Sequence, residues 1–325
     1  MRKRAFSMKQ AAGRFMALAL SVACILQATP VNALAAGPSD PKYVSAYTGN
    51  ADDEANLAAV VQRIGEGMLA HQDSIEVGDL ITWADLAANF DAITDLVKAK
   101  YPELFYWDSS ENGGLGAFGS GNSIFVEPVY KSEFDGNWQT KLAEFYDAAD
   151  FYLDQVRGEL NVCQDEFSKA LILHDEMILD MQYAYKTDGV TPNGDATNYD
   201  LLVGESGVKE GVCENYARVY AYLLGQVGIY SEIVDSSSMN HAWNKVRLDG
   251  NWYHVDVTWD DPTPNTSMTN GIHLPGFPGK AYHNYFLWSD TGFPNHSGYS
   301  SIHASGDTSY DEKRIHSFTC KFCKL

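Results

Sequence analysis

Gly211-Val212-Cys213-Glu214-Asn215-Tyr216-Ala217, His241-Ala242-Trp243-Asn244 and Val255-Asp256-Val257-Thr258-Trp259-Asp260 follow one another closely in this chain. A thiol, an imidazole and a carboxylate can serve as nucleophile, base and orienter of the base. Gly204, Gly207 and Gly211 punctuate the approach to Cys213, and Val219, Tyr220, Leu223, Leu224 and Val227 then recur at helical spacing. Gly228 is placed to end that helix. Cys213 therefore opens a buried helix. The unpaired N–H groups and partial positive charge of a helix N-terminus favour thiolate over thiol, and a first-turn N–H can donate to an oxyanion.

Beyond the helix the pattern turns to alternation. Residues 229–234, 242–248 and 252–259 read as strands, the last two flanking the tight-turn pair Asp249-Gly250. A two-residue hairpin there sets Leu248 opposite Asn251, Trp243 opposite Asp256 and His241 opposite Thr258. His241 and Asp256 then share one face as diagonal neighbours, about 7–8 Å apart between backbones and within side-chain reach. A slip of one residue would separate them. Asp260 and Asp261 fall past the strand end and are poorer partners. Each residue also has a structural reading: Cys213 as a small buried residue, His241 as a packing or surface group, Asp256 as a backbone cap. A helix-opening Cys with a His and an Asp on one strand face favours the chemical reading. Trp243 and Trp259 read either as walls of such a site or as core.

Upstream, Leu57, Val60, Val61, Ile64 and Met68 place a helix over 53–69. Thr82 and Asp85 start a second helix, which Pro102 closes. Residues 104–107 and 124–129 read as strands across a Gly-rich turn, 113–121, which lacks phosphate-loop lysine and spacing. Helices near 137–160 and 164–181 carry core stripes, and His174 sits in the second as a satisfied core histidine. Residues 186–198 form a polar loop. His273 and His283 lie in a Pro- and Gly-rich loop and read as surface residues. Gln182 and Asn198 are the candidates for a second oxyanion donor.

Composition sets the outer bounds. Arg2, Lys3, Arg4, Lys9 and Arg14 precede an apolar run over 15–26, and Ala33-Leu34-Ala35 fits a small-residue cleavage site. This predicts a secretion leader over residues 1–35. No second long apolar stretch appears, so no membrane span is predicted for the mature chain. The 325 residues carry a net charge of −20, and loss of the cationic leader makes the remainder more acidic still. Such a chain is a poor partner for nucleic acid, whose phosphates need clustered Lys and Arg. Cys163, Cys213, Cys320 and Cys323 are too few for a disulfide-held miniprotein. A Cys163–Cys213 disulfide would abolish thiol chemistry. His316, Cys320 and Cys323 offer three ligands where a closed zinc site needs four, so no metal is predicted there.

The stretch from about Tyr183 to Leu287 resembles the transglutaminase-like superfamily of thiol enzymes with a papain-like core. The resemblance rests on Gly211-Val212-Cys213 with Tyr216-Ala217, on His241 to Asn244, on Asp256 with Thr258-Trp259-Asp260, and on Tyr285-Phe286-Leu287. Asn215 departs from the pattern, since many relatives have Gly there. The resemblance implies Cys213 as nucleophile, His241 as its proton partner and Asp256 as orienter. It also implies an α+β fold in which a nucleophile helix packs on an antiparallel sheet, and the helical stripes upstream add a mostly helical N-terminal region before it. The expected organisation is leader 1–35, linker 36–50, N-terminal α/β region 51–160, transglutaminase-like catalytic core 161–295 and tail 296–325. The expected function is that of a secreted cysteine peptidase or amidase acting on a protein or peptide substrate through a thioester, without a cofactor; no acidic loop has calcium-ligand spacing. The alternatives are a protein-crosslinking acyltransferase and a non-catalytic surface-binding module.

Overall fold

Helix α1 (Ala51–Leu69) begins the part of the chain that the computed structural model describes, which comprises residues 51–109, 114–160, 165–204, 207–261, 282–299, 301 and 304–311. For 51–56, 99 and 155–160 the description is of backbone alone. The predicted leader and linker lie outside these residues, as do Cys163, His273, His316, Cys320 and Cys323. After α1 come β1 (Ile75–Glu76), α2 (Trp83–Lys100), β2 (Leu115–Ser120), β3 (Ser123–Pro128) and α3 (Trp138–Leu160). Then follow α4 (Glu166–Asp180), β4 (Gln182–Tyr183), α5 (Asn198–Leu202), β5 (Glu210–Gly211) and α6 (Cys213–Gln226). The chain finishes with β6 (Ser231–Ser236), β7 (His241–Leu248), β8 (Asn251–Val255), α7 (Val257–Asp260) and β9 (Phe286–Trp288).

The fold is α+β. A four-stranded antiparallel sheet, ordered β6-β7-β8-β9, carries α6 against it. The apolar stripe read from the sequence is the buried face: Val219, Tyr220, Leu223 and Leu224 are all under 1 % exposed. Each fully buried aliphatic side chain of this kind stabilises the fold by roughly 1.5–3 kcal/mol. The same core continues without a break from Leu57 of α1 to Leu287 of β9, so the N-terminal helices and the sheet share one apolar interior.

The local signals act as their chemistry demands. Thr82 accepts the Asp85 N–H and caps α2. Gly228, at φ +82°, follows the end of α6. Asp249 (φ +49°) and Gly250 (φ +87°) form the two-residue turn, with Leu248 opposite Asn251 as the hairpin register requires.

Three expectations change. Residues 104–107 form turns with only a bridge from Trp107 to Tyr130, and the hairpin partner of β3 is β2, inside the Gly-rich run. Glycine is needed there: a Cβ on Gly119, at φ +125°, would meet the Ser123 carbonyl oxygen at 2.0 Å. The strand read over 252–259 stops at Val255, because Asp256 caps α7 and turns the chain into a helix. Thr258 therefore never faces His241. The expected tail is packed into the core as far as it is described. Lys245 bonds Ser301 at 2.8 Å, and the Asp290 N–H donates to the Ser305 carbonyl at 2.9 Å. Tyr253 bonds Asp307 at 2.5 Å.

Candidate functional site

Cys213 is the first residue of α6, and its surroundings fix the turn it starts. Val212 before it is extended, at φ −94° and ψ 176°. Asn215 folds back to accept the Val212 N–H at 2.8 Å and donates to Asn198 Oδ1 at 3.1 Å. Asn198 in turn donates to the Pro102 carbonyl at 2.7 Å. Gly211 permits this closeness, since a Cβ there would lie 2.9 Å from Asn215 Cβ and 3.1 Å from Leu201 Cβ. Asn215, which departs from the pattern of the resemblance, thus ties the turn of Cys213 to α5. The Cys213 thiol is free and half-buried.

His241 opens β7, directly after Asn240 in the left-handed region at φ +49°. Its Nε2 lies 2.6 Å from Asp256 Oδ2, and Cys213 is near enough to add to the influences that favour charge on the ring. The structure therefore brings Cys213, His241 and Asp256 together from a helix N-terminus, a strand start and a strand end.

Asp256 is fully buried and carries more than His241. Its Oδ1 accepts the Trp259 N–H at 3.1 Å, capping α7, and its own N–H donates to the Tyr285 carbonyl at 3.0 Å. Its Oδ2 also bonds His296 Nε2 at 2.9 Å. Burial opposes charge on His241, but the Asp256 carboxylate and the bonds to Asp256 and Cys213 outweigh it and hold its pKa up to about 10. Burial likewise opposes charge on Asp256, yet His241 and His296 hold that carboxyl well below the usual range.

Aromatic groups enclose the imidazole. Trp259 and Trp243 lie within 30° of parallel to it, at 5.1 and 5.7 Å between ring centres. Trp243 is itself fastened, its Nε1–H donating to His254 Nδ1 at 2.9 Å. That bond needs an unprotonated Nδ1. Burial, with Lys245 adding to it, supplies this by pushing His254 down to about 3. His254 Nε2 and Lys245 Nζ both bond Asp290, at 2.9 and 2.7 Å.

Two residues at the site escaped the sequence reading. His296 lies 40 residues past Asp256 and carries no spacing signal. Tyr183 sits next to Gln182, half-buried and level with Gly211, two residues before Cys213; burial, then the neighbouring Cys213, raise its phenol well above the ordinary range. Of those two positions, Asn198 is committed to Pro102 and Asn215, and Gln182 is exposed. The Tyr183-Ala184-Tyr185 alternation was the only available hint, and it is too common to single out a residue.

A second polar cluster lies behind the site. Buried His174 bonds Asp175 through Nδ1 at 3.1 Å and Asp260 through Nε2 at 3.2 Å, so it is the satisfied core histidine expected. His283, expected at the surface, is instead half-buried with its side chain turned inward, and bonds Asp175 at 2.7 Å. Burial opposes charge on His174, but the bonds to Asp175 and Asp260 raise its pKa to about 9. Asp261, past the helical turn, accepts the Tyr216 hydroxyl at 2.5 Å. The ligand atoms of His174, Asp175 and His283 lie within 4.8 Å of one another, as do those of His241, Asp256 and His296. Each set offers three donors already bonded within the set, where a closed zinc site needs four.

A helix-opening thiol beside an antiparallel sheet that carries His and Asp is the arrangement the sequence resemblance implies. Residues 154–257 match the family model of the transglutaminase-like superfamily, so this stretch is transglutaminase-like. None of the curated proteins matches the chain. A solved structure described as "Crystal structure of a TGase" is 12% identical, aligning 50% of this chain with 47% of its own at a TM-score of 0.29. This chain thus spans about half the length of that structure. Among the described residues, no helix is long and apolar enough to cross a membrane.

Proposed function

We propose that this chain is a secreted thiol enzyme that attacks a peptide or carboxamide carbonyl through Cys213, His241 and Asp256, releasing the acyl group to water as a cysteine peptidase or amidase. The observation that carries the reading is the 2.6 Å bond from His241 to a buried Asp256, with a free Cys213 thiol near enough to influence the charge on that ring. Asp256 keeps His241 protonated, and an imidazolium beside the sulfur favours its anionic form. The thiolate attacks the carbonyl carbon and forms a C–S bond. His241 then gives its proton to the departing amine as the C–N bond breaks, leaving a thioester. Water opens the thioester, with His241 taking the proton back. An amine in place of water would make the same centre a crosslinking acyltransferase, as the superfamily also permits. The leader-like residues 1–35 support secretion.

Labelling of the purified protein with iodoacetamide tests this. Rapid modification of Cys213 at pH 6, lost in His241→Ala, is the expected result. A rate equal to that of a free thiol, unchanged by His241→Ala, would leave a non-catalytic binding module as the reading. Incubation with a peptide library, with and without a fluorescent primary amine, then separates cleavage from transfer by mass.

A further inference from the structure

We infer that Asp260 is a positioning residue for the Cys213 site, holding Asp256 in place through the Tyr285 peptide. The inference rests on the reading of Cys213, His241 and Asp256 given above. β8 and β9 pair with Val255 opposite Phe286, so Asp256 and Tyr285 come next on the two strands. A regular antiparallel ladder would exchange two backbone bonds between such a pair. One of them is made, the Asp256 N–H donating to the Tyr285 carbonyl at 3.0 Å. The other is replaced because α7 turns the chain away. The Asp256 carbonyl accepts the Asp260 N–H at 3.2 Å, within the helical turn. The buried Tyr285 N–H therefore needs a different acceptor. Asp260 supplies it from the end of α7: its Oδ1 and Oδ2 accept that N–H at 3.0 and 3.2 Å.

The Tyr285 peptide is thus held on one side by the first residue of the turn and on the other by its last. The backbone around it needs such a hold. Leu287 is buried at φ +62°, in a region uncommon for a residue with a side chain, and the register shifts between His254 and Val255. Asp260 is itself fixed from behind. Its Oδ2 lies 3.2 Å from His174 Nε2, and His174 Nδ1 lies 3.1 Å from Asp175. Bonds therefore run without a break from α4 through Asp260, the Tyr285 peptide and Asp256 to His241. Without the Asp260 carboxylate the Tyr285 N–H must seek another acceptor. The peptide then turns, and the carbonyl that holds Asp256 moves with it. The Asp256–His241 bond spans 2.6 Å, so a small displacement weakens the contact that keeps the imidazole charged beside the thiol.

The test uses the full chain and the rate of Cys213 alkylation by iodoacetamide at pH 6 and pH 10. At pH 6 an ordinary thiol, with a pKa of about 8.5, is almost wholly protonated, so a fast rate needs the imidazolium; at pH 10 the thiol ionises without that help. Asp260→Ala removes the acceptor. Asp260→Asn keeps it, since an amide oxygen in the place of Oδ2 can accept from both Tyr285 and His174. Asp260→Ala is expected to slow alkylation by about 10–10²-fold at pH 6 and by less than about three-fold at pH 10, with Asp260→Asn within about three-fold of wild type at both. Val60→Ala, a core change on α1 outside this chain of bonds, should keep the wild-type ratio of the two rates while lowering stability. If Asp260→Ala fails to fold by far-ultraviolet circular dichroism, Asp260→Ser is read against the same rates. Equal losses at the two pH values would make Asp260 purely structural and overturn the inference, as would Asp260→Asn as slow as Asp260→Ala. A fast wild type with an unchanged Asp260→Ala overturns the inference alone. A wild type no faster at pH 6 than a free thiol overturns the proposed function and the inference together.

Discussion

At Asp256 a single carboxylate answers to three donors: His241, His296 and the Trp259 N–H. The consequences for charge can be worked through. His241 is raised above its ordinary 6.5 to about 10, so its contribution to stability is complete below pH 6.5 and is lost as pH climbs through about 10. Asp256 is depressed, so its contribution is present above pH 3.8 and is lost on acidification. Asp256→Asn removes the anion that holds the imidazole charged. The His241 pKa is then expected to move down towards 6.5, read by NMR titration of its ring protons. Acyl turnover should fall by about 10³–10⁴-fold, the scale seen when the orienting acid of a triad is neutralised. His296 acts through Asp256, and it stacks on Phe293 at 3.7 Å between ring centres. His296→Phe keeps a ring but loses the Asp256 bond. We expect a drop of about 1–3 kcal/mol in unfolding free energy by urea titration, and a kcat that falls with little change in KM. An unchanged kcat would make His296 purely structural.

Elements set how much could be read in advance. The helix of Cys213 and the Asp249-Gly250 hairpin carry dense local signals, namely 3.6-residue periodicity, period-2 alternation and residues that tolerate positive φ. Those signals were enough to bring His241 and Asp256 onto one face. The side-chain bond between them survives even though the strand ends at Val255, because its diagonal geometry needs only the register up to that point. What stayed hidden was set by distant partners. Tyr183 needs β5, His296 needs Asp256, and His283 needs Asp175, 108 residues away. A Gly-rich run was read as a turn because exposed strand glycines look alike in sequence whether or not a neighbour approaches. The turn that presents Cys213 makes its own prediction. Asn215→Ala would leave the Val212 N–H and Asn198 Oδ1 without these bonds, at a cost of about 1–3 kcal/mol. Cys213 labelling should slow alongside, and a variant matching wild type in both urea midpoint and labelling rate would refute the tie to α5.

Across the whole molecule, charge is buried in the interior that joins the helices to the sheet. His174 on α4 links Asp175 to Asp260 at the end of α7, while Asp175 also holds His283 ahead of β9. Removing the central cation takes one partner from each of two buried carboxylates. His174→Leu is therefore expected to cost about 3–5 kcal/mol, measured by chemical denaturation at pH 6. The sign follows the same linkage: His174, raised to about 9, stabilises fully below pH 6.5 and progressively less towards pH 9. The wild-type melting temperature should thus decline across that interval, and the difference between wild type and His174→Leu should narrow with it. A difference constant from pH 6 to pH 10 would show that packing, not charge, is what His174 supplies.

The triple engagement of Asp256 also bears on how descent should be read. Cys213 opens α6 with a free thiol, whereas Asp256 begins a helix, anchors a distant histidine and meets the backbone ahead of β9. A lineage that abandons the chemistry can discard the sulfur at little cost to folding, but it cannot so easily discard the acid. In diverged copies the carboxylate should outlast the thiol. Its persistence is then a mark of architecture, and the residue at position 213 is the one that separates working descendants from retired ones.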